Sequence, residues 1–164
     1  MIKVQEEDFD VGEELSRMTT GKTAIGGVAS FVGLVRDCNG GEQVTSMTLE
    51  HYPGMTEKEL KRLEADARRR WELEDVLIIH RYGQLSPGDR IVLVVTASRH
   101  RGAALESCQF LIDWLKTKAP FWKLEDRTSG KQWVAARDED AVTAERWLRI
   151  TDDEQQIPRS DKKI

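Results

Sequence analysis

The chain has 164 residues, 39% of them hydrophobic and 33% charged, with a formal net charge of -4; this describes a soluble globular protein long enough to bury a core as one domain. An acidic balance excludes a general nucleic-acid or membrane-surface binder, so any basic site must be local. The longest apolar run, Ile91 to Ala97, is too short to cross a bilayer and the first residues carry no apolar targeting core, so the sequence reads as cytoplasmic. Cys38 and Cys108 lie far apart, which suits reduced thiols and gives neither a disulfide framework nor a metal-ligand pair. His51, His80 and His100 are equally scattered, so the sequence shows no metal site and calls for no cofactor.

In chain order, a short helix is expected around Gly12 to Met18. Thr23 to Val35 is rich in small and β-branched residues and reads as a strand whose glycines permit a bulge or a close backbone approach. It delivers Arg36 to a loop over 36–43 containing Asn39-Gly40-Gly41, a strong turn signal, after which Val44 to Tyr52 returns as a second strand. Pro53-Gly54 ends that strand. Thr56 to Glu59 has the form of a capping box, with Met55 placed to staple onto Leu60, and Leu60, Leu63, Ala67 and Trp71 mark one face of the helix that follows. Arg68, Arg69 and Arg70 close this helix; a cationic helix end in an acidic chain reads as a solvated face more readily than as a nucleic-acid patch.

Val76 to Tyr82 and Ile91 to Ala97 read as two apolar strands joined across the turn Ser86-Pro87-Gly88-Asp89. A second amphipathic helix follows, with Ala104, Leu105, Cys108, Leu111, Ile112 and Leu115 on its apolar face. Phe121 to Asp126 and Gln132 to Ala135 are strands around a turn at 128–130, and Asp138 to Leu148 is a last helix. Residues 1–150 form the domain; the polar, unpatterned residues 151–164 are expected to be a disordered tail. This order gives an α+β layout with helices on a largely antiparallel sheet, and periodicity alone suggests a ferredoxin-like core.

Two clusters carry potential chemistry. In Lys116-Thr117-Lys118-Ala119-Pro120-Phe121-Trp122-Lys123 the proline ends a helix near Ala119, so that Lys116 and Lys123 flank a corner. Either the rings are core and the lysines reach solvent, or an ammonium held against a ring loses water and becomes a usable base or nucleophile. In Ser98-Arg99-His100-Arg101 cations sit at a helix N-terminus, where they oppose the dipole unless an anion joins them. Arg36 is a third anion ligand or a surface charge. Arg101 and Lys116 stand near opposite ends of one helix, roughly 22 Å apart at 1.5 Å per residue. A small substrate cannot span that, so there are either two sites per chain or one site shared across a two-fold axis.

Leu49 to Met55, Ser98 to Arg101 and Lys116 to Lys123 closely resemble the signature segments of the large, catalytic subunit of molybdopterin synthase, and the resemblance runs in order from about Phe9 to Trp147. It implies an α/β-hammerhead fold and a homodimer, each chain of which binds a small ubiquitin-like sulfur-carrier subunit ending in a Gly-Gly thiocarboxylate, a heterotetramer overall. The substrate it implies is cyclic pyranopterin monophosphate, which receives two sulfurs to become molybdopterin, without metal or cofactor. By the same resemblance Lys116 and Lys123 are catalytic, and Arg36, His100 and Arg101 bind the phosphate and pterin. Leu124, Glu125 and Arg137 also fall at substrate-site positions, Arg137 on the short match Ala135-Ala136-Arg137. The loop 36–43 and the tail after Thr151 depart most from the family pattern.

Overall fold

The computed structural model describes residues 1–134, 143, 144, 146 and 147. In chain order these form β1 (Ile2–Gln5), α1 (Val11–Thr19), β2 (Gly27–Leu34), β3 (Cys38–Asn39), β4 (Glu42–His51), α2 (Met55–Arg70), β5 (Asp75–Arg81), β6 (Gly83–Leu85), β7 (Arg90–Ser98), α3 (Arg101–Lys118), β8 (Phe121–Arg127) and β9 (Gly130–Val134). One sheet has the order β1-β5-β7-β2, with β1 parallel to β5 and the other neighbours antiparallel. The second has the order β3-β4-β8-β9, with β6 added on β4. The architecture is therefore α+β, with two sheets in place of the single sheet of a ferredoxin-like core.

Strands β5 and β7 are apolar without alternation because their sheet is covered on both faces. Val76, Ile78 and Val94 meet Leu60, Leu63 and Ala67 of α2 and Ala104, Phe110 and Leu111 of α3. On the other face Leu77, Ile79, Leu93 and Val95 pack with Phe9 and Met18. Each fully buried large side chain of this kind contributes about 1.5–3 kcal/mol relative to exposure. A smaller cluster, Val35, Met47, Leu49 and Leu85, lies where β4 meets β6.

Several expectations are refined. The start of α2 is capped at Gly54, whose φ of 83° puts it in the left-handed region that glycine tolerates, and its N–H donates to the Glu57 carboxylate at 2.6 Å. Thr56 is instead inside the helix and fully buried, donating its hydroxyl to the Tyr52 carbonyl at 3.0 Å. Met55 is exposed, so no staple forms on Leu60. In α3, Leu105 is exposed while Phe110 and Ser107 are buried, because this helix packs against α2 as well as the sheet. Phe110 meets the rings of Trp71 and Trp147 edge-on. The arginines ending α2 are engaged within the chain: Arg68 with Glu64, Arg69 with Asp66, and Arg70 with the Trp147 carbonyl and over the Phe110 ring.

Strands β1 and β6 were not expected; with four and three residues they are too short to show a period. Of the last helix expected over 138–148, positions 143, 144, 146 and 147 are described and are helical. Asp113, buried on α3, accepts from Trp147 Nε1 at 2.8 Å and from Arg146 at 2.9 Å, tying those residues to the core. Arg137 and the tail over 151–164 lie outside the described residues.

Candidate active site

Pro120 acts as its chemistry requires: α3 ends at Lys118, Ala119 is extended, and Phe121 opens β8. Lys116 is exposed on the last turn of α3. Strand β8 runs antiparallel to β4, setting Phe121 opposite His51, Trp122 opposite Glu50 and Lys123 opposite Leu49. Two of the three signature segments, distant in sequence, are thus adjacent rungs of one ladder.

Lys123 Nζ lies 3.3 Å from Glu125 on the same face of β8. Glu125 is 3% exposed. Its two oxygens accept from Asn39 Nδ2 at 3.1 and 3.0 Å, and one accepts from Arg127 at 2.9 Å; Arg127 in turn reaches Glu42 at 3.2 Å. Burial pushes the Glu125 carboxyl up, but donors from Asn39, Arg127 and Lys123 together hold it below the usual carboxylate range. Glu125 is therefore an ionised anchor that reaches Lys123. Leu124 points to the opposite face of β8, beside Thr48 and Trp133 in the ladder, and the structure does not bring it together with Lys123. Arg36, exposed between β2 and β3, is three residues from Asn39 and so stands at the Lys123 end of the molecule.

Phe121 does not pack on a lysine. It stacks on His80 with ring centroids 3.6 Å apart and planes at 14°. His80 is buried, donates Nδ1–H to the Arg81 carbonyl at 2.8 Å, and is pushed down to about 4 by that burial. Trp122 is 49% exposed. Lys118 lies over the Trp114 ring at 5.4 Å.

His100 and Arg101 are both exposed at the N-terminus of α3, and the first turn holds no acidic residue. His100 is the cap residue, its N–H donating to Ser98 Oγ at 3.4 Å, while its side chain makes no cap bond. The start of β2 fixes this helix end. A Cβ on Gly26 would stand 2.2 Å from the Arg99 carbonyl oxygen, and one on Gly27 3.4 Å from Arg101 Cα. Gly26 is required for this approach, whereas a Cβ on Gly27 would make only an ordinary contact.

The candidate site residues thus lie toward two ends of the fold. Arg36, Lys116, Lys123 and Glu125 stand at one; His100 and Arg101 stand at the other, beyond an 18-residue helix. Sequence reasoning missed Asn39 and Arg127. Arg127 had a readable signal, two residues from Glu125 and one past the end of the strand expected over Phe121 to Asp126; Asn39 sat inside a turn motif that explained it otherwise. Among the described residues no group of three or more His, Cys, Asp or Glu side chains is placed to hold a metal ion.

The MoaE protein family matches residues 4–118. The molybdopterin synthase catalytic subunit of Ralstonia nicotianae is 52% identical over 151 residues, covering 92% of this chain and 86% of that protein. Among solved structures, the molybdopterin biosynthesis MoaE protein of Burkholderia ambifaria superposes with a TM-score of 0.78 at 48% identity, over 90% of this chain and 97% of that one. A complex of subunits 1 and 2 of molybdopterin-converting factor from Helicobacter pylori shares the fold at a TM-score of 0.69 and 20% identity, over 83% of this chain and 91% of that one. With its signature segments in place on this fold, the chain belongs to the family of molybdopterin synthase catalytic subunits.

Proposed function

We propose that the chain transfers sulfur to cyclic pyranopterin monophosphate from the C-terminal thiocarboxylate of a small ubiquitin-like subunit, in the cytoplasm, as a homodimer carrying two such subunits. In each round the thiocarboxylate sulfur bonds to a pterin carbon and displaces oxygen from it. Water then cleaves the acyl–sulfur bond, so that the carrier leaves as a carboxylate and the sulfur stays behind. Two carriers make the dithiolene. Both reactants are anions, and the cations of the site offset their repulsion. Lys116 moves a proton as the cyclic phosphate opens, and Lys123, steered by Glu125, steadies the partner's terminal carbonyl. The observation that supports this reading is Lys123 held beside the buried, ionised Glu125 on β8, just past the Pro120 corner that ends the helix carrying Lys116, in a chain of this family. The Helicobacter pylori complex supports a small-subunit partner. A single-turnover assay with the thiocarboxylated small subunit and the cyclic phosphate tests it; failure to form dithiolene with both reactants bound would overturn it.

Arg36, His100 and Arg101 hold the phosphate and pterin. Replacing Arg36 or Arg101 with alanine is expected to weaken substrate binding by about 1.5–3 kcal/mol each, the range for hydrogen bonds to charged groups. Calorimetry with the cyclic phosphate reads this, and unchanged affinity in both variants would remove the phosphate cradle.

Because the two ends are roughly 22 Å apart along α3, the site is completed by the second subunit. Mixing inactive Arg101→Ala and Lys116→Ala chains under subunit exchange gives hybrid dimers with one doubly damaged and one intact site. Random assortment should restore about a quarter of wild-type activity. No recovery, with exchange confirmed by mass spectrometry, would place the two ends in separate sites.

A further inference from the structure

Lys123, Glu125 and Arg127 alternate along β8 and so share one face of the strand. That face is the inner one: Lys123 stands opposite Leu49 and Glu125 opposite Met47, both buried in the cluster where β4 meets β6. An apolar side chain at position 125 would extend that cluster with no charge to desolvate. A buried ion pair is a weak stabiliser, often no better than apolar residues of similar volume. The carboxylate is therefore better explained by what it holds than by the stability it lends.

Its two oxygens are not equivalent. Oε2 accepts from Asn39 at 3.0 Å and from Arg127 Nε at 2.9 Å, and lies 2.7 Å from Arg127 Nη2. Oε1 accepts from Asn39 at 3.1 Å and lies 3.3 Å from Lys123 Nζ. Arg127 thus occupies one oxygen with two guanidinium nitrogens, Asn39 bridges both oxygens, and the second oxygen is turned to the lysine. An ionised carboxylate only accepts, so it is the NH2 group of Asn39 that faces it. Glu42 holds the same guanidinium at 3.2 Å. Asn39 and Glu42 are partners in the β3-β4 ladder, so the turn that follows Arg36 is bound to β8 through both of their side chains.

We propose that Asn39 and Arg127 are positioning residues that act through Glu125, a placement that rests on the roles proposed above for Arg36 and Lys123. Arg127 holds the carboxylate so that one oxygen steers Lys123. Asn39 ties the segment carrying Arg36 to the strand carrying Lys123, so that the cation for the phosphate and the cation for the sulfur carrier keep one separation. Without Arg127 the carboxylate is free to turn, and its charge, no longer shared, draws the Lys123 ammonium off the carrier's carbonyl. Without Asn39 the turn loses its tie to Glu125 and Arg36 shifts, while Lys123 keeps its partner oxygen. The two residues therefore give different defects, Arg127 in rate and Asn39 in affinity.

Double-variant cycles separate positioning from a general loss of structure, because effects that run through a shared partner fail to add whereas independent ones sum. Arg127→Met is expected to slow the single-turnover step about 10²-fold, the effect of roughly 1 Å of misplacement, with affinity for the cyclic phosphate nearly unchanged. In a Lys123→Ala chain the same change should slow the residual rate almost no further. Asn39→Ala is expected to weaken binding of the cyclic phosphate about tenfold by calorimetry, within the range for a lost hydrogen bond to a charged group, and to add almost nothing to Arg36→Ala. Arg127→Lys keeps the charge without the two-nitrogen contact and should recover only part of the rate. It and Asn39→Ser are the milder variants that complete the cycles if the first two do not fold by circular dichroism. Additivity with Lys123→Ala removes Arg127 from the site, and additivity with Arg36→Ala removes Asn39. If Lys123→Ala and Arg36→Ala are themselves harmless, the roles proposed above fall and leave nothing to position; if both are defective and the cycles are additive, those roles stand and the positioning alone is overturned.

Discussion

Lys116→Ala is expected to slow single-turnover dithiolene formation by about 10²–10⁴-fold, the contribution of a positioned proton-transfer group. The fold should survive, because the side chain is exposed at a helix end and a cation there contributes only about 0.3–1 kcal/mol through the helix dipole. Small-subunit binding should survive as well, since a partner held over a broad surface does not depend on one terminal ammonium. Lys116→Arg distinguishes two roles. Arginine keeps the charge but does not release its proton near neutral pH, so a nearly active arginine variant would mean that Lys116 acts by charge alone. Unfolding of the alanine variant, or turnover near the wild-type rate, would remove Lys116 from the chemistry.

Acid is expected to weaken the fold through His80, in a window above that of the carboxylates. The buried ring titrates at about 4 in the folded chain, against an ordinary value of 6.5. Above pH 6.5 both states hold a neutral ring and nothing is lost. Below it the unfolded chain takes up the proton first, so stability falls until the folded ring also protonates near pH 4. The whole loss is about 3 kcal/mol, at 1.36 kcal/mol per pH unit. Glu125 behaves differently: its depressed value stabilises the fold above the ordinary carboxylate range, and that contribution disappears only as pH falls below it. Urea unfolding between pH 7 and pH 5 therefore isolates the histidine. His80→Phe keeps a ring against Phe121 and removes the titration, so its stability should be flat across that interval. An equal slope in wild type and variant would show that His80 does not carry the acid sensitivity. The effect bears on the site because Phe121, stacked on His80, opens the strand that holds Lys123.

Much of the secondary structure was legible because its causes are local. Pro120 ends α3 whatever surrounds it. The apolar periods of α2 and α3 and the unbroken apolar runs of β5 and β7 mark the core elements. The Asn39-Gly40-Gly41 turn is present but closes the two-residue β3 onto β4; the hairpin expected between Thr23–Val35 and Val44–Tyr52 does not form, because β2 and β4 belong to different sheets. The capping of α2 was misread by two residues, because Gly54 reached a left-handed conformation that Thr56 did not need to compete with. Leu105 was assigned to the core because periodicity cannot tell which of two neighbours, sheet or helix, a face will meet.

By itself the sequence determined the longer elements, the family and the identity of the cations, since each depends on residue type and spacing along the chain; the short strands β1, β3 and β6 it did not. The division into two sheets, the alignment of Lys123 with Leu49, and the burial of Glu125 beneath Asn39 and Arg127 depend on pairings between residues as many as 86 positions apart. No local rule encodes those. Tertiary structure also decided that Phe121 serves His80 rather than a lysine. It set Arg36 and Lys123 at one end of the molecule and Arg101 at the other, because β2 and α3 leave Gly27 in the same direction and cover nearly the same distance.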